Sequence, residues 1–212
     1  GAFRPGELAH ELLNRAEAAG VEVRTNTTVT DVETEAGRVT AVRTPIGRTA
    51  VSQVVAAAGP WNLELGRTVG LELPVKHTLA PILVLEPTAQ LYHTHPSVKH
   101  AESGYYTVGR ADGAVLVGHS PGGYDDAGTE YDPDAVDETV PTAIVDGAFE
   151  ALGDLVPSLV EAEIVEQWVG VRSLTPDGRP LVGKTPVDGF SVVAFNSEGI
   201  QLAPAVGRVL AA

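Results

Sequence analysis

Apolar and polar positions alternate with two different periods along this chain, and the changes of period divide it. After Pro5-Gly6-Glu7, apolar residues recur at Leu8, Leu12, Ala16 and Ala19, one stripe of a helix that Gly20 closes. Val21–Arg24 then reads as a short strand. The period drops to two in Thr28–Glu33, in Arg38–Arg43 and in Thr49–Ala57, with turn residues at Glu35-Ala36-Gly37 and Pro45-Ile46-Gly47. The pattern predicts a three-stranded meander over residues 27–57. Its last strand ends in the all-apolar run Val54-Val55-Ala56-Ala57-Ala58-Gly59, which reads as a buried strand entering a glycine turn, and Trp61–Val69 predicts a short helix.

Strand patterns return at Thr78–Leu85, Gly104–Arg110 and Ala114–Gly118, the last two facing each other across Ala111-Asp112-Gly113. Gly118–Tyr131 is rich in Gly, Asp and Ser and is expected to be a mobile loop. Asp132 before Pro133 is a good N-cap and first-position pair, predicting a helical region to about Leu155 with a break near Pro141. Glu163–Val171 predicts a strand, followed by a tight Thr175-Pro176-Asp177-Gly178 turn. A short apolar strand, Ser191–Phe195, breaks at Asn196-Ser197-Glu198-Gly199. A helix follows with its stripe at Ile200, Leu202-Ala203, Val206 and Val209-Leu210. No internal repeat is present.

Composition narrows the classes. With 43% hydrophobic and 20% charged residues over 212 positions the chain is globular, long enough for one large domain or two small ones. Twenty-eight acidic residues against 14 basic ones give a net charge of −14, with lysine only at positions 76, 99 and 184. Nucleic acid and anionic membranes are expected to be poor partners, because phosphate binding needs clustered Lys and Arg. The balance suits a salt-rich cytoplasm and equally an ordinary acidic protein. The absence of Cys excludes disulfides and thiolate metal sites. No run approaches a membrane span and no signal peptide is visible, so the expected compartment is the cytoplasm. With no Met at position 1 and a final helix that stops uncapped, the expectation is a piece of a longer chain.

Among chemistry-bearing residues, Arg172 stands out. It ends an apolar strand before a turn, where a guanidinium can hold a carboxylate through two parallel hydrogen bonds. The alternative is a brace to Asp177 or Glu166. Tyr105 and Tyr106 point to opposite faces of one strand, so one can enter a pocket while the other packs. The polar break at Asn196–Gly199 places free backbone N–H groups and a positive dipole end at one spot, suited to an anion. His93-Thr94-His95, with His100 and His119 elsewhere, is too sparse to make a metal site, and no metal is expected. No Gly-x-Ser-x-Gly elbow supports a hydrolase triad.

The segments GVRSLTPDGRPLVG (170–183), FNSEGIQLAPAVG (195–207) and VVAAAGPW (54–61) resemble FAD-dependent amine and amino-acid oxidoreductases of the D-amino-acid oxidase superfamily, which includes glycine oxidase and the sarcosine oxidases and dehydrogenases. The resemblance runs through nearly the whole chain. It implies an α+β (α/β) fold: the C-terminal part of a Rossmann-like FAD-binding domain, residues 1–72 and 172–212, interrupted by an antiparallel-sheet substrate domain, residues 73–171. It implies FAD as cofactor and a small carboxylated amine as substrate, whose C–N bond is oxidised by hydride transfer to flavin N5. Arg172, with Tyr106 assisting, would bind the substrate carboxylate. Val29, Ala58, Gly59, Trp61, Asn196, Ser197, Glu198, Gly199 and Ile200 would contact the cofactor. The flavin does the chemistry, so no acid–base residue of the chain is assigned a catalytic role. An oligomer or an electron-acceptor protein stands open as partner. Ala194, Asn196 and Ser197 fill positions where the family commonly has Gly. No G-x-G-x-x-G fingerprint follows a strand here, so the chain alone is expected to bind FAD poorly. The competing reading is a non-catalytic α+β domain that binds a small acid or a protein.

Overall fold

The computed structural model describes residues 4–87, 95–120, 122–125, 127 and 132–211. Residues 118–131, the expected loop, and His93 of the histidine pair fall partly or wholly outside these.

Helix α1 (Pro5–Ala18) starts on Pro5, which lacks the N–H that a first turn leaves unpaired, and stops before Gly20 at φ +90°. The meander follows as β1 (Asp31–Glu35), β2 (Arg38–Thr44) and β3 (Gly47–Ala50), antiparallel in that order. Ala36 and Gly37, both at positive φ, make the first hairpin turn.

Three expectations fail in this first part. Val21–Arg24 forms no strand. Val29 precedes β1 rather than lying within it, for β1 takes up its ladder with β2 only from Asp31, opposite Arg43. The run expected as one strand over Thr49–Ala57 is two strands in different sheets. β3 ends at Ala50, and β4 (Val54–Ala56) pairs in parallel with β11 (Phe190–Ala194). A Cβ on Gly189 would lie 2.4 Å from the Ser52 carbonyl oxygen, so the chain switches sheets at Val51–Gln53 by packing directly on that glycine. β4 is buried on one face only: Ala56 is 2% exposed and joins the core of Phe190 and Val192, whereas Val55 on the other face is 53% exposed.

A 3-10 turn (Gly59–Trp61) leads into α2 (Asn62–Thr68). The largest sheet has the order β6-β7-β8-β5-β9, all antiparallel, from β5 (Lys76–Glu86), β6 (Val98–Lys99), β7 (Tyr105–Gly109), β8 (Val115–His119) and β9 (Glu163–Leu174). α3 (Thr142–Leu155) lies on it and buries Ala148, Ala151 and Leu152 against Leu83, Leu85, Val115 and Val117. The helix expected from Asp132 does not form. Asp132 Oδ1 accepts the Asp134 N–H and Asp137 Oδ1 the Thr139 N–H. These local side-chain bonds compete with helical ones, and α3 begins only after Pro141. β9 runs on past Val171 through Arg172 to Leu174, paired throughout with β5. β10 (Leu181–Lys184), which the sequence reading did not anticipate, completes the small mixed sheet β10-β11-β4. α4 (Gly199–Leu210) ends the described chain, and neither it nor α1 buries a residue.

Candidate functional site

Where β9 leaves the large sheet and β11 leaves the small one, the two strand ends border a cavity of about 500 Å³. Arg172, Leu174 and the turn Thr175–Gly178 form one wall, Asn196-Ser197-Glu198 another, and Ser120 with Gly122–Asp125 a third. Its volume is that of a small-molecule site. One hydrogen bond ties the turn to the loop after β11, and two more close the turn on itself. Asn196 Oδ1 accepts the Thr175 N–H at 3.2 Å, Thr175 Oγ1 donates to the Arg179 carbonyl at 2.6 Å, and Asp177 Oδ1 accepts the Arg179 N–H at 3.0 Å.

Arg172 is half-buried and donates from Nη1 to Ser120 Oγ at 2.8 Å. Neither brace considered from the sequence takes it. Asp177 caps its own turn, and Glu166 lies 3.7 Å from Arg110. Burial pulls the Arg172 pKa down from its ordinary value, opposed by the Tyr106 phenol, yet guanidinium stays charged at any physiological pH. Burial likewise holds the Tyr106 hydroxyl protonated, raising its pKa against the pull of Arg172. Tyr106 stands opposite Gly118 on β8, and its ring occupies the space of the missing side chain: a Cβ there would lie 2.2 Å from Cζ. Tyr105 faces the other way, donating to the Ile144 carbonyl and stacking on His119 with ring centroids 4.4 Å apart.

The loop at the N-terminus of α4 is strained. Ser197 sits at φ +69°, where a side chain costs about 1–2 kcal/mol and which glycine would adopt without strain. No side chain caps the helix, so the first-turn N–H groups are left to other partners.

The structure therefore brings Arg172, Asn196, Ser197 and Glu198 to one cavity, with Tyr106 close enough to Arg172 for each to shift the other's titration. Gly199 and Ile200 continue from it into α4. Ala58, Gly59 and Trp61 do not line it. Gly59 is at φ +56°, the Ala58 N–H is held by Asn62 Oδ1, and the Trp61 indole donates to Asp134 Oδ1 at 3.0 Å. Val29 is exposed and remote in the chain from any of these. The sequence reading missed four supporting residues. They are Ser120, which holds Arg172; buried Asn62, which bonds the Val193 carbonyl and pins α2 to β11; and Lys76 with Tyr124. Lys76 Nζ donates to the Tyr124 carbonyl and lies 4.4 Å from its ring centre, holding that residue in the cavity wall.

The family model for FAD dependent oxidoreductases (DAO) matches residues 1–212, and the chain belongs to that family. Glycine oxidase of Pseudomonas putida is 34% identical over 191 residues, 87% of this chain and 47% of the relative. D-amino acid dehydrogenase of Cereibacter sphaeroides is 31% identical over 201 residues, 94% and 43% of the two. The crystal structure of glycine oxidase from Geobacillus kaustophilus superposes with a TM-score of 0.76 at 29% identity, over 96% of this chain and 52% of that one. The chain thus spans about half the length of the relatives it matches. Among the described residues no helix is long and apolar enough to cross a membrane.

FAD fits part of this arrangement. The uncapped start of α4 and the Ser197 turn offer backbone donors beside the Arg172 cavity, the chemistry an anionic ring edge requires. The pyrophosphate finds no glycine-rich cradle in this sequence.

Proposed function

We propose that this chain is the substrate-binding and C-terminal flavin-contacting part of an FAD-dependent oxidoreductase that oxidises the C–N bond of a small amino acid or N-methyl amino acid. In this reading residues 1–72 and 172–212 belong to the flavin domain and 73–171 to the substrate domain, with β9 passing from one to the other at Arg172. The observation that carries it is the half-buried Arg172 guanidinium in a cavity it shares with the start of α4. Bound FAD would supply the acceptor, taking a hydride from the substrate α-carbon at ring N5. The chain's own residues bind and aim. Arg172 grips the carboxylate, Ser120 fixes the guanidinium's direction, and the neutral Tyr106 hydroxyl offers a further donor. So held, the α-C–H bond is presented in one orientation, and orientation is the protein's main contribution to the rate. With FAD bound, backbone N–H groups at Asn196–Ile200 would face the ring edge and favour negative charge there. Loss of hydride and of the amine proton gives an imine, which water hydrolyses.

Steady-state kinetics of Arg172→Lys in the full-length holoenzyme test this. Losing the fork should raise KM for a carboxylated amine about 10–100-fold, as expected for a charge-assisted hydrogen bond, and leave a decarboxylated analogue unaffected. Equal effects on both would contradict the assignment.

A further inference from the structure

The two strands that end at the Arg172 cavity lie in different sheets, β9 in the large one and β11 in the small one. β9 makes its last ladder pair at Leu174, opposite Lys76, so Thr175 lies beyond the sheet. Thr175 is only 1% exposed, and its N–H therefore needs a protein partner, which is Asn196 Oδ1 at 3.2 Å. Asn196 in turn lies between the end of β11 at Ala194 and the start of α4 at Gly199. We infer, on the roles proposed above for Arg172 and α4, that Asn196 is a positioning residue. Its side-chain oxygen holds the start of α4 against the turn that follows Arg172, so that the carboxylate grip and the anion-stabilising helix end keep one separation.

The bond runs through the oxygen, because a backbone N–H can only donate to it. That orients the amide, and its nitrogen lies toward Gly178, where an added Cβ would stand 3.9 Å from Nδ2. The ladder between β10 and β11 stops at Leu181 opposite Ala194, so it does not reach the loop. Past that pair the chain turns sharply, with Ser197 at φ +69°. No side chain caps α4, so the placement of its first N–H groups depends on this loop. Thr175 is also fixed from its other side, where Oγ1 donates to the Arg179 carbonyl at 2.6 Å. The turn is thus braced, and the loop is fastened to it through the amide oxygen. Removing that oxygen strands a buried N–H, which is costly enough to shift the turn, the loop or both. Such a shift matters here, since a misplacement of about 1 Å between two bound groups can lower a rate about 100-fold.

The test uses the full-length holoenzyme, with acetate as a bare carboxylate titrated against the flavin absorbance, and with the flavin midpoint potential measured beside it. Asn196→Ala should weaken acetate binding at least tenfold and lower the potential by about 30 mV or more, the equivalent of a tenfold change for a two-electron couple. Asn196→Asp keeps an oxygen for the Thr175 N–H and loses the amide donor, and should bind acetate at least fivefold more tightly than Asn196→Ala. Circular dichroism and flavin content confirm that the variants fold. Asn196→Ser, too short to reach Thr175, replaces Asn196→Ala where that variant loses its flavin. Acetate binding as weak in Asn196→Asp as in Asn196→Ala would make the side chain a direct donor and overturn the positioning role. So would a native potential or native acetate binding in Asn196→Ala. Arg172→Ala separates the two roles. Acetate binding lost there and native in Asn196→Ala overturns the role of Asn196 alone, while native binding in Arg172→Ala overturns the role of Arg172 on which it rests.

Discussion

The two sheets flanking the Arg172 cavity are finished to different degrees. On the large one, α3 closes a continuous core in which Leu85, Leu152 and Leu159 are almost completely removed from water. On the small one, β4 is an open edge, Val55 and Val209 are 53% and 70% exposed, and α1 and α4 bury no residue although both carry an apolar stripe. Apolar stripes of this kind form where a helix packs on something. The large sheet is thus closed by its own helix, whereas the small sheet, with a core around Phe190 and Val192, is flanked by helices whose apolar stripes stay exposed. The chain's matching of only about half of its relatives' length agrees with that contrast.

The largest effect that could break the comparison is in stability. Leu152→Ala, under α3, is expected to cost about 2–5 kcal/mol, and Leu12→Ala on α1 less than about 0.5 kcal/mol, both by urea unfolding of this chain. Similar costs would erase the contrast. Next comes Gly118→Val, which drives a side chain into the Tyr106 ring. It should raise KM for a carboxylated amine about tenfold in the full-length holoenzyme by removing a donor near Arg172, and an unchanged KM would take Tyr106 out of the site. Ser197→Gly should stabilise by about 0.5–1 kcal/mol, since glycine relieves the left-handed strain at the cost of a floppier unfolded chain. Destabilisation would mean that the Ser197 side chain makes an interaction worth more than the strain.

The smallest effect is in pH. Burial lowers the His119 pKa, the hydrogen bond with the Ser103 carbonyl opposes this, and Arg172 adds to the lowering by a smaller amount. Below about 6.5 the unfolded chain then binds more protons than the folded one, so stability rises with pH through that window and is complete above it. His119→Gln should flatten the slope of melting temperature between about pH 5 and 7, and an unaltered slope would assign it to other groups.

Local signals in the sequence were read well where the chemistry is local. The glycine turn closing α1, the turns of the meander, the hairpin at Asp112 and the strand-break-helix at Asn196 all follow from residues within a few positions of one another. Arg172 could be singled out because a lone cation at the end of an apolar strand is conspicuous. Long-range features were out of reach. The division of Thr49–Ala57 between two sheets depends on the approach of Gly189, and Asp132 favours an Asx turn over a helix N-cap by a margin the sequence does not display. Ser120 beneath Arg172 and Asn62 against Val193 are meetings of residues far apart in the chain, which only the packed fold creates.

The most direct measurement is the binding of acetate, as a bare carboxylate, to the full-length holoenzyme, followed by perturbation of the flavin absorbance. A spectral change that competes with substrate in the native protein and weakens at least tenfold in Arg172→Ala is the predicted result. Acetate binding of equal strength in both proteins would contradict the placement of the substrate carboxylate on Arg172.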